Sequence, residues 1–310
     1  MRYRWHMRWV VSAALVLCAC KSAPRPVAPD AEAVLADSER LLQQADFAGA
    51  RDRLLARTES EFPRPIQARW SLAVGRAWMG LGEPWNAYLA LRDFADHHPH
   101  SELREQVAAL LYQAGHDLAT SGGGFLFFWS DRRGGRTCLQ HLTTRYPDSQ
   151  YLADALRMLG EMAMEDGEYD TARDDFREIL VRRPDSEWAP LARFRFAMSL
   201  FASLRGPEYD LDQMQHATKE LRDFLANPPE KPEMVRQARA TLQQVLEWQA
   251  QRHLLVANFY RTIDNRAGEL MSLQRAADPE FATTPAAETA RERLEALGQI
   301  APAPPKSGGP

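Results

Sequence analysis

Cysteine is nearly absent: three residues in 310 positions, too few to build a disulfide framework. Glycine is scarce at 17 residues, and β-branched residues are thin. Both shortages disfavour a β-sandwich or barrel. There is no basic excess either: 38 Lys and Arg stand against 42 Asp and Glu, a net charge of -4. That argues against a nucleic-acid-binding surface. The leading apolar run, Trp9 to Leu17, is about half of the ~20 residues a membrane-spanning helix needs. What is plentiful is Ala, Leu, Arg, Glu and Gln, the helix formers. With 45% apolar and 26% charged residues, the composition points to a folded, helical body.

The first nineteen residues read as a signal peptide. Arg2, Arg4 and Arg8 form a positive n-region ahead of the apolar run. Leu17-Cys18-Ala19-Cys20 resembles the lipobox of bacterial lipoproteins, with a small residue before the second cysteine. Cys18 fits worse, because Leu17 stands where Ala, Gly or Ser belongs. The resemblance implies cleavage before Cys20 and several acyl chains on it, a stable anchor where one chain would be marginal. The rival is an ordinary signal peptide cut elsewhere. Residues 20–30 then form a loose Pro- and Ala-rich tether, and Lys21 favours the periplasmic face of the outer membrane. Without residues 1–19 the chain keeps 35 basic against 42 acidic side chains, a net charge near -7.

Internal periodicity organises residues 31–298. Prolines 63, 99, 147, 184, 229 and 279 each follow an amphipathic stretch. Eight residues before them lie Leu55, Leu91, Leu139, Phe176, Leu221 and Met271. Twelve before the last five lie the small residues Ala87, Gly135, Ala172, Ala217 and Ala267, and Ala50 stands one residue off this register. Small, then large apolar, then Pro is the second-helix pattern of a tetratricopeptide repeat: close approach, groove filling, helix stop. Gly75 with Gly82, and Gly160 with Gly167, fit the close-contact and turn positions of the first helices. The fold class expected is all-α, an α-solenoid of about six helix-turn-helix repeats. Asp148-Ser149 and Asp185-Ser186 are expected caps of the helices that follow. Pro232 to Arg261 reads as one long helix with an apolar stripe through Val235, Leu242, Leu246 and Leu255. Residues 299–310 read as a disordered tail.

Chemistry is harder to find. His97, His98 and His100 sit in an inter-repeat turn with no Cys or carboxylate at a ligand spacing, so an exposed turn is preferred to a metal site. Gly122-Gly123-Gly124 lacks the Lys and Ser/Thr of a phosphate loop. Asp174-Asp175 and Glu165-Asp166 read as solvated carboxylates, and Cys138 as a packed helix residue rather than a nucleophile. No catalytic residue, cofactor, metal, nucleic acid or small-molecule substrate is expected. The segment Phe125, Phe127, Phe128, Trp129 with Arg132 is the one candidate partner-binding site. Its aromatics either pack back on the solenoid or form a docking knob.

Arg145-Tyr146-Pro147-Asp148-Ser149-Gln150-Tyr151, Gln213 to Leu225, Ala238-Arg239, and His253 with Ala257, Phe259 and Tyr260 are similar, in that order, to the later repeats of the BamD family. These are lipoproteins of the outer-membrane β-barrel assembly machine. The resemblance is best over 120–298. It implies a non-enzymatic scaffold, lipid-anchored through Cys20 at the periplasmic face of the outer membrane. Its partners would be barrel-assembly proteins or unfolded outer-membrane clients. The chain is longer than the family norm and carries six repeats rather than about five, which leaves a second role open: an envelope adaptor for cell division, peptidoglycan synthesis or secretion.

Overall fold

The computed structural model describes residues 29–120 and 131–299. Cys20, Phe125, Phe127, Phe128, Trp129, the triple glycine and both termini lie outside them. Among the described residues there is no strand. The helices are α1 (Ala31–Gln43), α2 (Phe47–Leu55), α3 (Arg64–Gly80), α4 (Pro84–Leu91), α5 (Phe94–His97), α6 (Arg104–Thr120) and α7 (Asp131–Arg145). They continue with α8 (Leu152–Glu165), α9 (Tyr169–Arg182), α10 (Ala189–Ser203), α11 (Leu211–Ala226), α12 (Pro232–Thr262), α13 (Arg266–Ala276) and α14 (Pro285–Ala296). They pair as consecutive hairpins, α1 with α2, α3 with α4, α6 with α7, α8 with α9, α10 with α11 and α12 with α13. Each hairpin stacks on the next, and α14 covers the last. This is the tetratricopeptide solenoid, held by nearest-neighbour contacts.

The repeat register explains the packing. Ala87, Gly135, Ala172 and Ala217 are buried, as are Leu91, Leu139, Phe176 and Leu221. Opposite them, a Cβ on Gly75 would stand 2.6 Å from Leu91, and one on Gly160 would stand 2.7 Å from Phe176. Glycine in the first helix thus opens the slot that the large residue of the second helix fills. In α7 the approach is backbone to backbone: a Cβ on Gly135 would meet the Ala119 nitrogen at 2.6 Å. Two adjacent glycines weaken α7 by about 1 kcal/mol each relative to alanine, and packing against α6 offsets that.

Four of the hairpins, α1–α2, α3–α4, α8–α9 and α12–α13, close by one recurring turn. Asp46, Glu83, Glu168 and Asn265 each donate their backbone N–H to the carbonyl five positions back, on Leu41, Trp78, Ala163 and Tyr260. The residue just before each donor is left-handed: Ala45, Gly82, Gly167 and Asp264. This is the Schellman closure.

Four expectations need correction. In the outer repeats the register slips by one. Leu55 is 47% exposed and Ala50 with Leu54 is buried instead, because a 3-10 turn, Glu59–Glu61, separates α2 from Pro63. Met271 is 48% exposed and Ala267 is exposed, while Gly268 packs on Tyr260. There the first helix supplies the ring, so the second supplies the glycine. Ser149 and Ser186 are not N-caps: α8 and α10 begin three residues after them, and Ser149 accepts from the Tyr151 N–H in a tight turn at 3.2 Å. Finally, α12 is one helix of 31 residues, but Leu255 is 38% exposed. Of the expected stripe Leu246 is buried and Val235 and Leu242 are half-buried, beside a buried line through Met234, Ala238, Thr241, Val245 and Gln249.

Candidate protein-interaction face

Stacking brings the first helices α1, α3, α6, α8 and α10 side by side, and polar pairs join each to the next. Arg69 of α3 donates to Glu39 of α1 at 2.6 Å. Arg76 of α3 donates to Gln106 of α6 at 2.8 Å. The Tyr112 hydroxyl of α6 donates to Asp154 of α8, and Arg195 of α10 donates to Glu161 of α8 at 2.8 Å. Solenoids use such a run of first helices as an extended binding surface.

The densest point is where α6, α8 and the start of α10 meet. Asp154 accepts from Tyr112 and, at 2.6 Å, from Arg157 Nε. Arg157 lies 4.4 Å over the Trp188 ring, and Tyr112 stacks on Tyr151 at 5.0 Å between centroids. All five residues are half-buried. Burial and the hydrogen bond to Asp154 raise the Tyr112 phenol well above its ordinary value, so it remains a donor. The cluster offers flat aromatic surface beside a fixed carboxylate and guanidinium, the chemistry that interface centres favour. No sequence motif marks it, because its members come from three repeats and meet only on stacking.

Of the sequence-derived site residues, Arg132 alone is described. Its guanidinium reaches Asp166 at 2.5 Å, Glu165 at 2.9 Å and the Met162 carbonyl at 3.1 Å. Arg136 joins it on Asp166 and reaches Glu168 at 3.0 Å. The hydrogen bond from Arg132, with the charges of both arginines, holds the Asp166 carboxyl below its ordinary value. Glu165 and Asp166 are thus ion-paired rather than free in solvent, and they pin α7 to the α8–α9 turn. Asp175 also departs from expectation: it is half-buried, and burial, then Glu178 and Asp174, push its carboxyl up to about 7.

Cys138 is fully buried, and burial pushes its thiol up to about 12, so it is no thiolate nucleophile at neutral pH. His98 Nε2 lies 3.0 Å from Glu59, which His97 approaches at 3.8 Å. Among the described residues no group of three metal-ligating side chains converges, and no helix is long and apolar enough to cross a membrane.

Residues 130–303 match the family model YfiO, described as an outer membrane lipoprotein. No curated protein sequence matches the chain. Among solved structures, the MamA protein aligns at 16% identity over 64% of this chain and 97% of its own, with a TM-score of 0.37. A tetratricopeptide repeat protein from Parabacteroides merdae ATCC 43184 aligns at 14% identity over 86% and 98%, TM-score 0.37. The P58(IPK) TPR domain aligns at 11% identity over 87% and 67%, TM-score 0.28.

Proposed function

The chain belongs to the YfiO outer membrane lipoprotein family, the BamD-like group that its later repeats resemble, and from that premise we propose that it is a lipid-anchored scaffold for β-barrel assembly. Cys20 carries the acyl chains, and the solenoid stands at the periplasmic face of the outer membrane. A barrel-assembly protein or an unfolded outer-membrane client binds along the first-helix face, with the Tyr112–Asp154–Arg157–Trp188 cluster at its centre. Phe125, Phe127, Phe128 and Trp129 supply a second contact. The role is binding and presentation, not catalysis.

The family match over more than half of the chain carries this reading. Mass spectrometry of partners co-purified with the detergent-solubilised protein tests it, and a large barrel-assembly subunit is the expected find. Division or cell-wall proteins in its place would favour the envelope adaptor. That second reading draws on the repeats over 31–119, which the family match leaves out.

A further inference from the structure

The helix α12 is twice the usual length, and the second half of it has lost a neighbour. Its first half runs alongside α10, and Trp248 stacks on Phe201 near the α10 end at 5.3 Å. The second helix of that repeat, α11, meets α12 where Gln249 donates to the Met214 carbonyl at 3.2 Å, close to the α11 start at Leu211. Beyond this level α12 continues for thirteen residues to Thr262, about 20 Å. His253 still lines a cavity with Gln215 and Lys219 of α11, and after it Ala257 packs on Leu273 and Ala276 of α13 and Ala290 and Leu294 of α14.

The exposed part carries an apolar line. Leu255, Phe259 and Ile263 lie at i, i+4 and i+8 and are 38%, 60% and 53% exposed. The recurring turn shows what this line is for. Counting back from the carbonyl that closes each hairpin, Leu255 and Phe259 correspond to Met158 and Met162 in α8, and to Ala73 and Ala77 in α3. Those four residues are buried. Met158 and Met162 share a core with Cys138, Leu139 and Leu142 of α7, and Ala73 shares one with Leu54 of α2. In both repeats the preceding second helix covers these positions. In the last repeat that helix is drawn back along α12, and the slot it would fill stands open.

We propose that this slot is a docking site for an amphipathic α-helix of a partner protein, one that takes the place of the displaced second helix and bears acidic side chains. The register argues for a helix, since the line matches positions that a helix covers elsewhere in the same chain. The charge argues for acidic flanks. No Asp or Glu occurs between Glu247 and Asp264, and Arg252, one turn before Leu255 on the same face, makes no ion pair among the described residues. The occupant's apolar residues at i and i+4 cover Phe259 and Leu255, and a carboxylate meets Arg252.

The test places a photo-cross-linker on the full-length, membrane-attached chain as Leu255→p-benzoylphenylalanine, with the attached peptide identified by mass spectrometry. The expected product maps to one amphipathic, net-acidic helix of another protein. The double variant Phe259→Ser with Ile263→Ser in the same background should cut its yield about tenfold or more with the melting temperature unchanged, and Arg252→Glu should also lower it. No cross-link, a cross-link to lipid, to a second copy of the chain, or to a basic or non-helical segment would overturn the proposal. So would a yield that survives the serine variant. The proposal stands apart from the barrel-assembly reading: co-purification can succeed with no cross-link here, and the helix can belong to a protein outside that machinery.

Discussion

Gly160 and Phe176 occupy one slot between them: a Cβ on the glycine would lie 2.7 Å from the ring that fills the space. The ring is fully buried in the core formed by α8, α9 and α10, so it has no room to withdraw. Gly160→Ala should therefore destabilise the protein by about 1–3 kcal/mol through overpacking, against the usual gain of alanine in a helix. Ala172→Trp, on the facing helix, should cost at least as much and spread to neighbouring repeats. Thermal melts read both, and an unchanged melt would contradict the register.

Ala45 holds φ at 60°, at the turn position that Gly82 and Gly167 occupy in two other repeats. A left-handed alanine carries a steric cost that glycine avoids. Ala45 is exposed, so no packing is lost on shortening it. Ala45→Gly should stabilise the chain by about 0.5–1 kcal/mol, the steric relief less the added entropy of the unfolded glycine. Denaturant unfolding with an unchanged slope would measure it.

Asp175 sets a pH dependence. Its carboxyl is raised to about 7 in the fold from an ordinary 3.8, so between these values the native state holds a proton that the unfolded chain has released. Stability from this group therefore grows as pH falls from about 7 toward 4, and the burial penalty is constant above 7. Asp175→Asn should raise the melting temperature at pH 8 and leave it nearly unchanged at pH 4. His141 and His253, whose pKa values burial lowers, act in the opposite sense in both proteins, so the difference between variant and parent isolates Asp175.

Cys20→Ala should release the protein from membranes. The proposed attachment runs through the acyl chains on Cys20, and the variant should appear in the soluble fraction after a high-salt wash. Retention in the membrane pellet would refute the lipoprotein assignment of this cysteine.

Replacing Phe127, Phe128 and Trp129 with Ser separates two roles for that segment. A docking knob predicts an unchanged melt with weakened partner capture, since each central interface aromatic contributes roughly 2 kcal/mol or more. Aromatics packed on the solenoid predict a loss of about 3–5 kcal/mol per buried ring instead. Circular dichroism melts and capture from detergent extract, on one preparation, distinguish them.

Local physics made the helices legible. Proline stops, small-to-large spacing and turn glycines all act within one hairpin, so Gly75, Gly160, Ala172 and Phe176 declare their roles in the linear chain, and α12 runs as the one long helix expected from Pro232, ending one residue past Arg261. Where a spacing depended on what lay between helix and proline, as at Leu55 and Met271, the pattern slipped by one residue. What only tertiary structure decided are relationships across repeats. Tyr112, Tyr151, Asp154, Arg157 and Trp188 converge because three hairpins stack. Arg132 is drawn to the α8–α9 turn by the field of Glu165 and Asp166. Leu255, Phe259 and Ile263 belong to an apolar pattern that any helix would bury, yet α11 stops short of them. Hydrophobic spacing states that a face needs a partner, while the docking of neighbouring helices determines whether the chain itself provides one.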